Sequence, residues 1–215
     1  MKLKSKIIFI SAAILGLMLL PINHLGNSLG DDLFRWIGVS PWTKENNNGL
    51  HLPVVIGFIL LIFGSIGVAN IYKPRYPKIS SRLLIGYIVF IYIFPFLTEQ
   101  IFFLTKFNSS GISSVAFSKK DSECNYSPEN EQVKAVCTLN IYNYGKQKSV
   151  TIRPIINPMY SQVEFKPKEV SLTPRSQRIV NVVFYGDPLD ESSSQGWVKE
   201  IGAEIEVNGD RKTYK

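Results

Sequence analysis

Two kinds of hydrophobic pattern follow one another along this chain. Up to about residue 107 the apolar residues come in long unbroken runs, and beyond that point they alternate with polar ones. Three runs stand out: Ile7 to Ile22, broken only by Ser11 and Pro21; Leu50 to Tyr72, without a charge; and Leu83 to Leu104, whose single charge is Glu99. A bilayer core about 30 Å thick takes about 20 helical residues to cross. The second and third runs therefore predict membrane-spanning helices, and the first is marginal. Lysines ahead of a short apolar stretch are also the form of a secretory signal peptide, and Ser28-Leu29-Gly30 puts small residues at the two positions a signal peptidase reads. The distance from the apolar run to that site is long, which favours an uncleaved signal anchor. Two to three spans are expected within residues 1–107.

In the second half the period is two. Val133, Ala135, Cys137, Leu139 and Ile141 alternate with Lys134, Val136, Thr138 and Asn140, the pattern of a half-buried strand. Further strands are expected around Val115 and Phe117, Val150 to Ile156, Val163 to Phe165, Val170 to Leu172, Val180 to Phe184 and Ile201 to Val207. Turn signals separate them: Asn143-Tyr144-Gly145, Asn157-Pro158, Pro167, Pro174, Gly186-Asp187-Pro188 and Asn208-Gly209. Seven short antiparallel strands in about 100 residues predict an immunoglobulin-like β-sandwich over residues 110–215. The boundary falls between Lys106 and Gly111, where Asn108-Ser109-Ser110-Gly111 closes the last apolar run.

The motifs of this half resemble a known class. Cys137 to Gly145, Val150-Thr151-Ile152-Arg153-Pro154, Val163 to Pro167, Val170 to Pro174 and Ile179 to Phe184 together resemble the bacterial extracytoplasmic immunoglobulin-like modules. The resemblance covers residues 112–208 and concerns fold class. It implies a binding, spacing or assembly role without catalysis, and names no partner. Residues 1–107 resemble no transporter or enzyme family.

Charge adds a topology. The formal net charge is +7, and seven basic residues lie in two short stretches free of acids: Lys2, Lys4 and Lys6 before the first run, and Lys73, Arg75, Lys78 and Arg82 between the second and third. Such loops stay in the cytoplasm. Residues 31–49 and the whole C-terminal half are then expected outside, and the N-terminus inside. With those seven set aside, 17 basic residues face 17 acidic ones. That balance leaves no basic face for nucleic acid.

Candidate chemistry is sparse. Between the first two runs, Leu33 to Ile37 with Trp42 predicts an amphipathic segment in the headgroup region, with Asp31 and Asp32 as its N-terminal acids. His24, Asp31, Asp32, Glu45 and His51 surround that loop, but their spacing matches no metal-ligand motif, so they are expected to be interfacial polar residues. Ala12 with Gly16, and Gly57 with Gly64, are small residues on helix faces and predict close helix packing, within one chain or between chains. Pro95 should kink the third run, and Glu99, with Gln100 beside it, is the candidate intramembrane functional residue. Counting about 1.5 Å per residue from Leu83 puts Glu99 near the outer boundary, which favours an interfacial role. Cys124 and Cys137, read respectively as a connection residue and an inward strand residue, have neither redox nor zinc spacing. A structural disulfide is favoured over a reactive thiol pair. There is no G-x-S-x-G, no Gly-rich phosphate loop, no H-E-x-x-H, and no histidine beyond His51. Neither an enzyme nor a cofactor is expected. The loop from Gly186 to Trp197, with Asp187, Asp190, Glu191 and three serines, is the best stretch for a contact surface, a solvated connection being the plainer reading.

The expected function is that of a multi-pass cell-membrane protein of the envelope, displaying a non-catalytic interaction domain on the outer face to an envelope or membrane protein. The alternative is an accessory or sensor subunit of a transporter or envelope complex that acts through its spans and Glu99.

Overall fold

The computed structural model describes residues 3–44, 48–156, 163–188 and 195–214. The chain divides into two compact units, Met1–Glu99 and Gln100–Lys215.

The first unit is helical. Its elements are α1 (Leu3–Leu19), α2 (Leu29–Trp36), a two-stranded ribbon of β1 (Trp42–Lys44) and β2 (Asn48–His51), α3 (Leu52–Tyr72) and α4 (Ile79–Thr105), whose last turns belong to the second unit. α3 and α4 are long and apolar enough to cross a membrane; α1, with 17 residues, is at the lower limit of a span. Apolar runs and helices do not share boundaries. α1 begins among the lysines, because a backbone helix tolerates them at its end, and stops before Pro21, which disfavours helix in the residue ahead of it. α4 starts at Ile79 and takes in Ser80, Ser81 and Arg82. The amphipathic segment expected over Leu33 to Ile37 is part of a helix that starts earlier, α2, with Asp31 and Asp32 in its first turn and Arg35 in its last, while Trp42 lies apart from it on β1. Its N-cap is Ser28, whose hydroxyl accepts from the Gly30 amide at 3.1 Å.

α1 and α3 touch backbone to backbone. A Cβ on Gly16 would lie 2.5 Å from the Leu61 nitrogen and 2.6 Å from the Gly57 oxygen, and one on Gly64 would strike the Ala13 backbone. Small residues are what allow this approach. The partner of Gly16 on its own face is the buried Ala13, whereas Ala12 is half-buried. The expected Ala12–Gly16 pair is corrected to an i, i+3 pair. α4 buries no residue. It is tied to α3 by a hydrogen bond between Ser65 Oγ and the Tyr87 hydroxyl at 2.9 Å, and Thr98 Oγ1 donates to the Pro95 carbonyl at 2.8 Å.

The second unit is built from β3 (Val115–Glu129), β4 (Gln132–Asn143), β5 (Ser149–Ile155), β6 (Val163–Phe165), β7 (Lys168–Ser171), β8 (Ser176–Pro188), β9 (Gly196–Lys199), β10 (Gly202–Val207) and β11 (Asp210–Tyr214). A five-stranded sheet runs β6-β8-β4-β3-β9 and a four-stranded one β11-β10-β5-β7, with antiparallel pairing throughout. Inward residues of both, among them Val115, Leu139, Ile141 and Phe184 from the first and Val150, Ile152 and Ile205 from the second, form one core. Every strand expected from alternation is present, and β9 and β11 are additional. β11, Asp-Arg-Lys-Thr-Tyr, is an exposed edge strand, so burial imposes no alternation on it. Its hairpin signal was nonetheless in the sequence: Asn208 and Gly209 both take positive φ, 54° and 89°, as a two-residue turn between Val207 and Asp210 requires.

Cys124 corrects another expectation. It lies on β3, directly opposite Cys137 on β4, and is not in a connection. The polar run Lys119 to Glu123 that suggests a loop is an irregularity within β3, its pairing shifting between Ser118 and Glu123. Ser122, itself buried, satisfies the buried backbone left unpaired there, donating to the Ser118 carbonyl at 2.7 Å and accepting from the Asn140 amide at 2.9 Å.

Candidate functional site

The polar residues of the segment between α1 and α3 go to separate partners. His51 Nε2 meets Asp31 Oδ1 at 2.5 Å while its ring stacks on Trp42, centroids 4.4 Å apart. His24 Nδ1 bonds Thr98 Oγ1 at 3.1 Å, and burial pushes its pKa down to about 4, so it is neutral at physiological pH. Asp32 faces Arg35 at 3.8 Å. Glu45 lies outside the described residues, and among those described no three His, Cys, Asp or Glu side chains cluster around a point where an ion could sit. Glu99, half-buried on α4, makes no hydrogen bond or ion pair with another described residue. Between α3 and α4 lies a cleft of about 440 Å³, lined by apolar side chains together with Ser80 and the Ser65–Tyr87 pair.

In the β domain Cys124 and Cys137 are joined and fully buried. A bridge without solvent access cannot exchange with an external thiol, so its geometry suits the structural reading. Of the loop from Gly186 to Trp197, Asp187 accepts from Gln132 Nε2 at 2.8 Å and pairs with Lys166 at 3.2 Å. Those contacts, Gln132 first, hold its carboxyl below the usual carboxylate range. Asp190, Glu191 and the serines lie outside the described residues.

The two sheets present unlike outer faces. On the four-stranded sheet, Arg153 donates to Glu204 at 3.0 Å and to Glu164 at 2.8 Å, and Arg211 meets Glu206 at 2.7 Å. Of these, Arg153, Glu204, Glu206 and Arg211 border a cleft of about 230 Å³, its charges paired with one another. On the five-stranded sheet the outer positions are partly apolar. Strand register sets Trp197, Asn125, Val136 and Val183 side by side across β9, β3, β4 and β8. Tyr185 stands one rung along from Val183, opposite Lys134, and Ile179 lies nearer the start of β8. Beyond Phe107, the exposed large hydrophobic residues described are Val136, Ile179, Tyr185 and Trp197, each at least 41 % exposed, and all are on this face. Alternation could have flagged Val136, an apolar residue at an outward position of β4. Trp197 became legible only once β9 was known to be a strand. Comparison with protein-family models, with curated proteins and with solved structures finds no match for this chain.

Proposed function

We propose that this chain is a multi-pass membrane protein of a cell envelope that carries an immunoglobulin-like sandwich on the outer side, where the sandwich docks a protein partner through the outer face of its five-stranded sheet. The observation that carries this reading is the gathering of Trp197, Val136, Tyr185 and Ile179 on one face of a domain whose core is otherwise closed. Large apolar side chains left in water on one contiguous face mark interaction surfaces, and Trp and Tyr are the residues that dominate binding energy there. The immunoglobulin-like assignment draws on two antiparallel sheets sharing a core. The span assignment draws on the length of α3 and α4, and the orientation on the basic loop from Lys73 to Arg82. α1, fitted to α3 at the level of the backbone, is retained as an anchor in this reading. No catalytic role is assigned.

Orientation is tested by single cysteines at the exposed Ser81 and Ser171, the native pair being consumed by its bridge. A membrane-impermeant maleimide applied to intact cells should label Ser171→Cys and leave Ser81→Cys untouched; the opposite pattern overturns the topology. Docking is tested by a photo-crosslinking side chain placed at Val136 in the full chain. One discrete adduct should form in native membranes, and Trp197→Ala should weaken that complex about 30-fold, the scale of a hot-spot truncation. A crosslinker at Arg211, on the opposite face, should give no adduct. A second reading, a subunit that meets a transporter or envelope complex through its spans, draws on α4, which buries none of its residues, and on Glu99. It is favoured if the adduct forms from Tyr92 instead, a position 81 % exposed on α4.

A further inference from the structure

Three segments far apart in sequence meet at one end of the β domain. They are residues 106–118, which run into the start of β3; residues 143–149, from the end of β4 to the start of β5; and residues 172–178, from the end of β7 into the first residues of β8. Lys146 donates its amide to the Ser109 carbonyl at 3.0 Å, Arg175 to Gly145 at 2.9 Å, and Leu172 to Lys148 at 2.8 Å. Asn143 Nδ2 clamps two of the segments together, reaching Gln147 O at 2.6 Å and Thr173 O at 2.9 Å. In these segments there are five basic residues, Lys106, Lys146, Lys148, Arg175 and Arg178, and no acidic one.

The last turns of α4 enter the domain at the same end. The rings of Phe102 and Phe103 lie 5.4 and 5.1 Å from that of the buried Tyr144. Arg175 covers Phe107 at 3.6 Å and Lys106 covers Phe102 at 5.0 Å, its ammonium donating to the Ser113 carbonyl at 2.6 Å. Lys146, Lys148 and Arg178 are exposed and make no side-chain hydrogen bond or ion pair with a described residue. The other end of the five-stranded sheet differs. Lys134 pairs with Glu129 at 3.0 Å and Lys166 with Asp187 at 3.2 Å. The overall balance of charge therefore conceals a separation along the domain, with basic groups left unneutralised where α4 joins it. The Lys106 ammonium is held below its ordinary pKa, first by burial and then by repulsion from Lys212 on β11.

We propose that this basic collar binds the headgroups of anionic phospholipids in the leaflet from which α4 emerges. The proposal rests on the reading of α4 as a span, and it adds a second surface, distinct from the apolar sheet face. Position and charge both point to this occupant. The collar borders the point where an apolar helix gives way to a polar domain, which is the headgroup level of a spanning protein. Lysine and arginine there meet phosphates with complementary charge and hydrogen-bond donors. Each contributes about a fivefold gain in lipid affinity, so three together amount to roughly 100-fold at low salt. Binding at this end would hold the domain against the bilayer.

The test uses the full chain reconstituted in vesicles, with an environment-sensitive fluorophore on Thr173→Cys, an exposed position within the collar. Acrylamide quenching is compared between vesicles of phosphatidylcholine alone and vesicles containing phosphatidylglycerol. The phosphatidylglycerol should reduce quenching at Thr173 at least about twofold, and 1 M salt should restore it, since the screening length falls to about 3 Å. The triple variant Lys146→Gln/Lys148→Gln/Arg178→Gln should abolish the protection without changing the melting temperature. A fluorophore on Glu131→Cys, at the far end, should not respond. Equal quenching in both lipids, or protection that survives in the triple variant, overturns the proposal. So does equal protection by soluble inorganic polyphosphate in phosphatidylcholine vesicles, which would assign the collar to a free polyanion. Cell labelling at Ser81 and Ser171 reports the span and orientation reading separately, so failure of that reading is distinguishable from loss of lipid-dependent protection.

Discussion

Replacing Gly64 by leucine is expected to separate α1 from α3. The new Cβ would fall against the backbone nitrogen of Ala13, 2.7 Å from its Cα and 2.7 Å from the Phe9 carbonyl oxygen. A flexible side chain could turn aside, but helix backbone cannot, so relief requires the two helices to move apart and lose contact along the seam from Phe9 to Gly16. Overpacking commonly costs about 1–3 kcal/mol, and a clash with backbone belongs at the upper end or beyond. The same substitution at Gly86 is the control, because a Cβ there would meet nothing within 4 Å. Thermal melting of the detergent-solubilised chain, followed by helical circular dichroism, should show a clear loss of stability for Gly64→Leu and none for Gly86→Leu. Matching curves would mean that the close approach of α1 and α3 contributes nothing to stability.

The second large effect is expected in the β domain. The double variant Cys124→Ala/Cys137→Ala removes a bridge that spans 13 residues and joins β3 to β4 inside the core. Loop-closure entropy alone puts the loss at about 3 kcal/mol. In a domain of this size each kcal/mol shifts the melting temperature by about 4–8 °C, so a fall of roughly 10–25 °C is expected. Unfolding of the full chain followed by the sheet signal checks this. Thiol titration of the denatured, unreduced native chain should find no free sulfhydryl. A shift within a few degrees would mean that the hairpin register, already set by the inward row Val133, Ala135, Leu139 and Ile141, holds as firmly without the bridge.

The parts of the fold that were legible share one property: burial imposes a period on them. α3 and α4 announce themselves because an unbroken apolar run of about 20 residues has few other stable placements. The strands facing the core did so because one side of each is excluded from water, as with Val133 to Ile141. β9 and β11 escaped for the converse reason, being edge strands in which neither side is firmly committed to the core. Cys124 reads as a connection residue in the sequence because a strand that shifts register and turns polar between Ser118 and Glu123 loses its alternation there. For Gly16, sequence could show that small residues share a face, but the choice between Ala12 and Ala13 as the second contact depends on how the helices cross.

What the sequence by itself determined is the order of solvents along the chain: an apolar half with helices long enough to span a membrane, a polar half able to fold around its own core, and two short basic stretches free of acids beside the apolar runs. Those are properties of composition and local period, to which every residue contributes through its own transfer free energy. The tertiary structure decided which residues stand together. Trp197 and Val136 came onto one face, on either side of Asn125, because β9 and β4 both pair with β3. Lys106, Lys146, Lys148, Arg175 and Arg178 became one basic end because three connections meet where β3 begins. A net charge is a sum and records nothing of position. Only the path of the backbone, set by strand pairing between distant segments, turns a balanced composition into one charged end and one apolar face.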